Sequence, residues 1–244
     1  MGRVVTFAQL PMQPSHDGVA RAAITADDAR EMAAELVRIA PGARWTATVP
    51  RGSDCYLFCL AGAAGIAAGT QSHYILPQTF VTIEEGTEFA LHNTGPASAE
   101  LVHVLAPPAP NGRAGFHGTI AVAARATAPM VAVPEQKKTR IYFVDDAAAR
   151  SERGHAMIVG YAADTVTGLH HHPDAESLFV VLDGALTFTV DGAAVVVRPG
   201  QAAWFGTNDP HSLRVADGVP AGVSPAASFL EFHIPAAYTT VKHP

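Results

Sequence analysis

The sequence predicts an all-β protein that consists of two tandem antiparallel barrels. Short apolar runs, rich in β-branched and aromatic residues, alternate with turn signals along most of the chain, which is typical of sandwiches and barrels. Asp183-Gly184 and Asp191-Gly192 each separate two such runs, and Asp-Gly in this position favours a tight β-hairpin. The two halves of the chain also share their turn spacing, which indicates a duplication.

An interval of 122 residues relates the two halves. It separates Gly62, which follows the run YLFCLA, from Gly184, which follows LFVVLD. The same interval separates Gly86 in EEGTEF from Asn208 in GTNDPH. Turns that recur at one offset predict two units of similar structure.

The segment between the halves gives the predicted domain boundaries. Residues 108–134 are rich in Ala, Pro and Gly and have little periodicity, so we interpret them as a linker. The predicted N-terminal barrel then covers residues 1–107 and the predicted C-terminal barrel residues 135–244. The best candidate for a helix is Ala26 to Leu36, although part of it could be strand.

Composition excludes several classes of function. Hydrophobic residues make up 48% and charged residues 16% of the 244 residues, which predicts a globular protein. The formal net charge is -6 and no Lys or Arg run occurs, so nucleic acid is not an expected partner. No apolar run reaches the roughly 20 residues that cross a bilayer, and the N-terminus has no signal-peptide core, so we expect a cytoplasmic protein and no membrane partner. Cys55 and Cys59 are too few for a disulfide framework, and we expect both to be buried apolar residues.

Three histidines in the second half have the spacing of metal ligands. His170 and His172 are two residues apart, so a strand would place both imidazoles on one face and His171 on the other. His211 follows a Pro-Gly turn, the run AAWF and a second turn, GTNDP. Neutral imidazole binds Fe, Mn, Ni, Cu and Zn well.

These two segments together resemble the two motifs of the cupin superfamily. In that family, two histidines one residue apart are followed by an acid or amide and a glycine, and a later Pro-Gly, strand and turn lead to a third histidine. The resemblance implies two jelly-roll-like barrels, of which the C-terminal one holds one divalent transition metal (Fe, Mn, Ni or Zn). His170, His172 and His211 match the positions of the family's histidine ligands.

The family's acidic ligand has two candidate positions. Counting from the second histidine selects Glu176, whereas counting back from Gly184 selects Ser177, a poor metal ligand. The site is therefore either a three-histidine site with an open face or a site that Glu176 completes through a local bulge.

The N-terminal half lacks the motif. At the common offset, Thr48, Pro50, Cys55 and Phe89 stand where the second half has His170, His172, Ser177 and His211. Threonine and phenylalanine do not replace imidazole as ligands, so we expect no metal in the N-terminal barrel.

The resemblance implies a metal-dependent enzyme that acts on a small organic molecule. The first hypothesis is an Fe(II)-type dioxygenase, because three neutral imidazoles leave coordination positions for substrate and dioxygen. The second is a Mn-, Ni- or Zn-dependent isomerase, decarboxylase, hydrolase or lyase of a carboxylated or sugar-derived substrate, with Glu231 or Glu176 as the base. The third is a non-catalytic binding module. We also expect a homodimer, because sheet edges are commonly covered by a second copy.

Overall fold

The chain is built almost entirely of antiparallel strands, so the all-β prediction is confirmed. The structure is a computed structural model that describes residues 1–15, 17–145, 148–218 and 225–243. The helical segments within these ranges are two short 3-10 turns, Phe7–Gln9 and Pro134–Gln136. No helix in this part of the chain is long and apolar enough to cross a membrane.

The chain forms two compact units. The unit that we call the N-terminal barrel consists of Leu10–Ala128 and Val144–Gly154. The unit that we call the C-terminal barrel consists of Met1–Gln9, Pro129–Phe143 and His155–Pro244. Each unit thus includes a short segment that is remote in sequence from its main part.

Twenty-three strands make up the described sheets. The first twelve are β1 (Arg3–Thr6), β2 (Gln13–Pro14), β3 (Val19–Ala23), β4 (Ala33–Ile39), β5 (Arg44–Thr48), β6 (Asp54–Ala61), β7 (Ala64–Ala68), β8 (Gln71–Ile75), β9 (Thr79–Ile83), β10 (Glu88–His92), β11 (Ala99–Ala106) and β12 (Ile120–Ala124). The others are β13 (Val131–Val133), β14 (Lys138–Val144), β15 (His155–Tyr161), β16 (Val166–His171), β17 (Glu176–Asp183), β18 (Leu186–Val190), β19 (Ala193–Val197), β20 (Gln201–Phe205), β21 (His211–Val215), β22 (Ala227–Ile234) and β23 (Val241–Lys242).

Both barrels have the same strand order, except that β23 adds a fifth strand to the smaller sheet of the C-terminal barrel. The N-terminal barrel has a seven-stranded sheet, β12-β9-β6-β11-β4-β3-β2, and a four-stranded sheet, β5-β10-β7-β8. The C-terminal barrel has the seven-stranded sheet β1-β20-β17-β22-β15-β14-β13 and the five-stranded sheet β19-β18-β21-β16-β23. Strand β6 thus corresponds to β17 and β11 to β22. The segment interpreted as a linker contains β12 and β13, whereas the domain boundaries themselves stay a prediction.

The turns that suggested a duplication have matching backbone conformations. Gly62 has φ 74° and Gly184 has φ 71°, whereas Gly86 has φ 73° and Asn208 has φ 66°. All four lie in the left-handed region, which glycine adopts freely and asparagine tolerates. The shared interval therefore reflects shared turn geometry.

The core of the C-terminal barrel lies between its two sheets. Because side chains alternate along a strand, every second residue of β17, β18, β20 and β22 faces inward. These residues include four fully or almost fully buried phenylalanines, namely Phe179, Phe188, Phe205 and Phe229. Each such side chain stabilises the fold by roughly 1.5–3 kcal/mol relative to exposure.

The helix suggested at residues 26–36 is not formed. Residues 26–32 make turns and bends, and β4 begins at Ala33. Strand β4 pairs with both β3 and β11, so it is a central strand of its sheet. Pairing and burial in the sheet outweigh the helical propensity of Ala, Glu and Leu in this segment.

A buried ionic cluster holds the segment Val144–Gly154 in the N-terminal barrel. The Asp54 carboxylate is fully buried, and it accepts hydrogen bonds from Ser151 Oγ at 2.6 Å and from Arg153 Nη1 at 3.1 Å. A buried charge is tolerated when it is paired and hydrogen-bonded. The cluster explains why this segment belongs to the N-terminal barrel although it follows β14 of the other unit.

We predict that Gly184→Ala destabilises the protein much more than Gly192→Ala. Both glycines have positive φ, but a Cβ at Gly184 would lie 2.3 Å from the Ala226 carbonyl oxygen, whereas a Cβ at Gly192 would meet no atom within 4 Å. Gly192→Ala should cost only the strain of about 1–2 kcal/mol of the left-handed conformation. Thermal and urea unfolding would measure both, and equal costs would contradict the proposed close approach at Gly184.

Candidate metal centre

Two adjacent strands bring the three histidines together. His170 lies near the end of β16, and its pairing partner in the sheet is His211, the first residue of β21. His172 follows directly after β16, and its carbonyl oxygen accepts a hydrogen bond from the Asn208 amide at 2.8 Å. The left-handed turn at Asn208 thus delivers His211 beside the His170/His172 pair.

The three imidazoles converge on one point. One ring nitrogen from each of His170, His172 and His211 lies within 4.8 Å of the other two. The ring centroids are 4.4 Å apart for His170 and His211, 5.1 Å for His170 and His172, and 5.5 Å for His172 and His211. All three residues are buried. His171 points elsewhere, and its Nδ1 contacts His243 Nε2 at 2.8 Å.

Main-chain carbonyl oxygens set the tautomer of each ring. Nδ1 of His170, His172 and His211 donates to a carbonyl oxygen, which can only accept, so the proton resides on Nδ1 and the Nε2 lone pair is free. The acceptors are, in order, Gly168 at 2.8 Å, Thr239 at 2.9 Å and Asp209 at 2.9 Å. Buried Nε2 atoms of His172 and His211 have no hydrogen-bond partner among the described residues. Such an arrangement is typical of imidazoles that ligate a metal.

Burial keeps these histidines neutral. Desolvation lowers the pKa of His172 to about 4 and that of His211 to about 3, and it also lowers the pKa of His170. A metal ligand must be unprotonated, and buried neutral imidazoles suit a divalent transition metal. Orientation, free lone pairs and neutral charge therefore all agree with a three-histidine metal site.

The comparison with known families supports this interpretation. Residues 157–223 match the model of the cupin domain. The C-terminal barrel is a cupin domain. The match covers the His170/His172 segment and His211, so it includes both motifs from which the resemblance was inferred.

Solved structures extend the similarity to both barrels. Protein Ylba from E. coli superposes with a TM-score of 0.76 at 10% identity, over 96% of this chain and 90% of that one. A cupin 2 conserved barrel domain protein from Leptotrichia buccalis gives a TM-score of 0.67 at 17% identity, over 95% and 96%. Lactobacillus farciminis oxalate decarboxylase, in a formate complex, gives 0.70 at 13% identity, over 98% and 88%. At these identities the similarity establishes the fold. No curated protein matches the sequence significantly.

Glu176 does not join the histidines. The group of candidate ligands among the described residues comprises the three histidines without it. Ser177, Phe179 and Val181 face the interior of the barrel, so alternation along β17 places Glu176 on the opposite face with Leu178. The residue that faces inward near the histidines is Ser177, the other position that the spacing allowed. This placement does not support Glu176 as a metal ligand.

A cavity of about 560 Å³ adjoins the histidines. Its wall includes His170 and His172, apolar side chains such as Phe179 and Leu213, and several charged or polar groups. The polar groups in addition to the two ligands include Gln136, Lys138, Arg140, Glu231, His233 and Tyr238. The cavity thus has the size and mixed lining of a small-molecule site.

Glu231 and His233 form a hydrogen-bonded pair on the cavity wall. Both lie on β22 with even spacing, and His233 Nε2 is 3.1 Å from Glu231 Oε1. His233 Nδ1 is 3.0 Å from Ser177 Oγ. Burial raises the pKa of Glu231, but the hydrogen bond and charge of His233, with Lys138 and His155, outweigh it and leave the pKa below its usual value. Glu231 is therefore an ionised carboxylate that faces the cavity.

The segment that follows β22 lies against the cavity. Asp174 accepts hydrogen bonds from Thr239 N and Thr239 Oγ1, both at 2.8 Å, and thereby fixes the carbonyl that orients His172. Tyr238 stacks on His233 with the ring centroids 4.2 Å apart. The sequence does not single out these three residues: Asp174 lies between the matched motif positions His172 and Glu176, and Tyr238 and Thr239 lie outside both motifs.

The interior of the N-terminal barrel is different. Phe89, at the position equivalent to His211, packs edge-on against Trp45 with the ring centroids 5.2 Å apart. Trp45 also contacts His103, whose Nδ1 is 2.8 Å from Glu35 Oε1. Cys55 and Cys59 are free thiols and buried, and burial raises the pKa of both. Aromatic side chains therefore fill the region where the other barrel has its histidines.

We predict that His172→Ala abolishes stoichiometric metal binding and that His171→Ala does not. The first change removes a converging Nε2, whereas the second removes a neighbouring imidazole that points away. Metal affinity should fall at least about 100-fold in His172→Ala, since even loss of a supporting contact costs 10–100-fold. Elemental analysis of untagged protein after reloading measures this, and equal metal content in the two variants would contradict the assignment.

We predict that metal-free protein loses stability as the pH falls below about 6.5, the ordinary histidine pKa. The unfolded chain binds protons there, whereas folded His172 and His211 take them up only at about 4 and about 3. The folded pKa values are depressed, so this stability is complete above the unfolded pKa and declines on acidification, by at most roughly 1.4 kcal/mol per pH unit and histidine. The drop in melting temperature between about pH 7 and about pH 5 should be smaller in His172→Gln/His211→Gln. An equal drop in wild type and variant would refute the prediction.

Proposed function

We propose that the protein is a metal-dependent enzyme that catalyses a non-oxidative reaction by proton transfer on a small polar molecule. The observation that carries this proposal is the ionised Glu231 on the wall of the cavity that also contains His170 and His172. A base has to reach the proton that it abstracts, and a buried carboxylate beside a small-molecule cavity meets this requirement. Isomerisation, hydrolysis and elimination all require such a base, which removes a proton from carbon or from water.

His170, His172 and His211 would hold the metal. A divalent ion such as Mn, Ni, Fe or Zn would supply Lewis-acid chemistry, stabilising negative charge that develops on the substrate. The described ligand set contains no carboxylate, so the protein leaves the full positive charge of the ion available to the substrate.

Glu231 would accept the proton, with His233 and Ser177 supporting it. A carboxylate only accepts hydrogen bonds, so His233 donates from Nε2 to Glu231, while its Nδ1 lies 3.0 Å from the Ser177 hydroxyl. This chain of contacts fixes the orientation of both Glu231 and the His233 ring. The lowered pKa of Glu231 keeps it in the basic form at neutral pH.

The aromatic wall would exclude water around the reacting atoms. Tyr238 packs against His172 with the ring centroids 4.8 Å apart and stacks on His233. Phe179 also lines the cavity, and it contacts His233 with a centroid distance of 6.3 Å. Electrostatic interactions in a site become stronger when water is displaced from it.

A dioxygenase is the second candidate. The observation that favours it is the uncharged donor set of three histidines, because Glu176 lies on the opposite strand face. Three protein ligands leave coordination positions for a substrate and dioxygen. This candidate requires dioxygen as co-substrate, whereas the first does not.

The test compares Glu231→Gln with Glu176→Gln on the metal-loaded protein. Small carboxylic acids with a C–H bond next to the carboxylate would be screened by NMR with and without oxygen, and oxalate would be included because one structural neighbour is an oxalate decarboxylase. We expect turnover that is independent of oxygen and falls by about 10²–10⁴-fold in Glu231→Gln. Glu176→Gln should retain activity, because its side chain lies on the face away from the cavity.

Three results would contradict the proposal. Oxygen uptake in proportion to product would favour the dioxygenase. Unchanged kcat in Glu231→Gln, with metal content intact, would remove Glu231 from the chemistry. Loss of activity in Glu176→Gln alone would show that the assignment of the two glutamates to opposite strand faces is wrong.

A further inference from the structure

Three positively charged side chains line the cavity in addition to the proposed machinery, namely Lys138, Arg140 and the exposed Lys242. Lys138 and Arg140 lie on β14 with even spacing, so the strand directs both to the same face. Both belong to the wall of the 560 Å³ cavity, together with Glu231 and His172. The proposed proton transfer uses neither of them.

Arg140 has only neutral partners among the described residues. Its Nη2 donates to Gln136 Oε1 at 2.7 Å and its Nη1 to Tyr142 Oη at 3.3 Å. Its buried Nε has no hydrogen-bond partner in this part of the chain. A guanidinium group has five donors in a planar fork that matches a carboxylate, so Arg140 retains unused capacity for an anion.

Lys138 likewise lacks an ion-pair partner in the described ranges. Its Nζ donates to Thr167 Oγ1 at 3.0 Å and lies 4.8 Å from the centre of the Tyr161 ring. Burial and the charge of Arg140 lower the pKa of Lys138, while Glu231 raises it, and the net effect is a lowered pKa. Two adjacent cations that share a cavity are unfavourable unless an anion joins them.

The single carboxylate on the cavity wall does not balance these cations. Glu231 forms its hydrogen bond with His233 and is within 4.0 Å of neither Lys138 nor Arg140. The cavity therefore carries an excess of positive charge in addition to the charge that a bound metal would bring. A neutral sugar would leave this excess uncompensated, whereas an organic acid would neutralise it.

We propose that Lys138 and Arg140 form a carboxylate-binding subsite, and that the substrate is a small organic acid whose carboxylate they hold. This inference rests on the proposed function, since it names the substrate class of the same cavity. The planar guanidinium of Arg140 would orient the carboxylate through two parallel hydrogen bonds, and the ammonium of Lys138 would add a second positive charge. A carboxylate in this subsite would position the rest of a small molecule toward Glu231 and the histidines.

The experiment measures binding of malonate and of its uncharged diamide, malonamide, to metal-free protein by calorimetry. The two probes have similar shape, and neither turnover nor metal is needed for the readout. We expect malonate to bind wild type at least about 10-fold more tightly than malonamide, a difference of about 1.4 kcal/mol. Arg140→Gln should weaken malonate binding at least about 10-fold and leave malonamide binding unchanged.

Arg214→Gln is the matched control. Arg214 belongs to the same barrel, but it is only partly buried, is paired with Asp217 at 2.9 Å and does not line the cavity, so its replacement should leave malonate binding unchanged. Lys138→Met provides an independent variant should Arg140→Gln fail to fold, with the same expected loss. Circular dichroism and melting temperature show whether each variant is folded.

Three outcomes would overturn the subsite. Equal affinity of wild type for malonate and malonamide, or unchanged malonate binding in folded Arg140→Gln and Lys138→Met, would show that these cations do not bind a carboxylate. Tighter binding of inorganic phosphate than of malonate, lost in the same variants, would replace the carboxylate by a phosphate. If wild type binds malonate as expected but Glu231→Gln is fully active, only the proposed function is overturned and the subsite stands.

Discussion

Three hydrogen bonds from imidazole Nδ1 atoms to main-chain carbonyl oxygens determine the character of the C-terminal barrel. They orient His170, His172 and His211 with their unprotonated Nε2 atoms toward one point. Two of the acceptors, Gly168 and Asp209, lie two residues before the histidine that they orient, whereas Thr239 lies in the segment after β22. The site consequently depends on the strand ends of β16 and β21 and on a piece of chain far away in sequence.

The two barrels differ in how their interiors are packed, and the barrel with the histidine site has fewer apolar contacts there. The N-terminal barrel has the same strand order but fills the equivalent interior with Trp45, Phe89 and the buried His103, which is paired with Glu35. Apolar contacts of this kind contribute directly to stability. The C-terminal barrel instead keeps a cavity with charged walls and three desolvated imidazoles. Buried polar groups of this kind stabilise the fold only when each has a hydrogen-bonding, ionic or metal partner. One fold therefore accommodates a packed core in one copy and a functional cavity in the other, consistent with the rule that function resides in the site.

The position of the acidic side chain near the histidines could not be predicted from sequence spacing alone. The sequence offered Glu176 and Ser177 as alternatives, because the two ways of counting differ by one residue. On a strand, one residue decides the face on which a side chain lies. The register of β17 against β22 pairs Ser177 with His233 and Phe179 with Glu231, and so it places Ser177 and Glu231 inside. The carboxylate near the histidines thus comes from β22, the strand next to β17, rather than from the first motif.

The sequence by itself determined the all-β class, the duplicated turns and the three histidines, since alternation, left-handed turns and i, i+2 spacing are local properties of the chain. It did not determine the strand β4, because pairing with two neighbours overrides local propensity there. Only the tertiary structure decided that Lys138 and Arg140 of β14, Tyr238 and Thr239 surround the histidines. These residues come from segments remote in sequence, and their proximity follows from sheet order and strand register, which depend on the packing of the whole barrel.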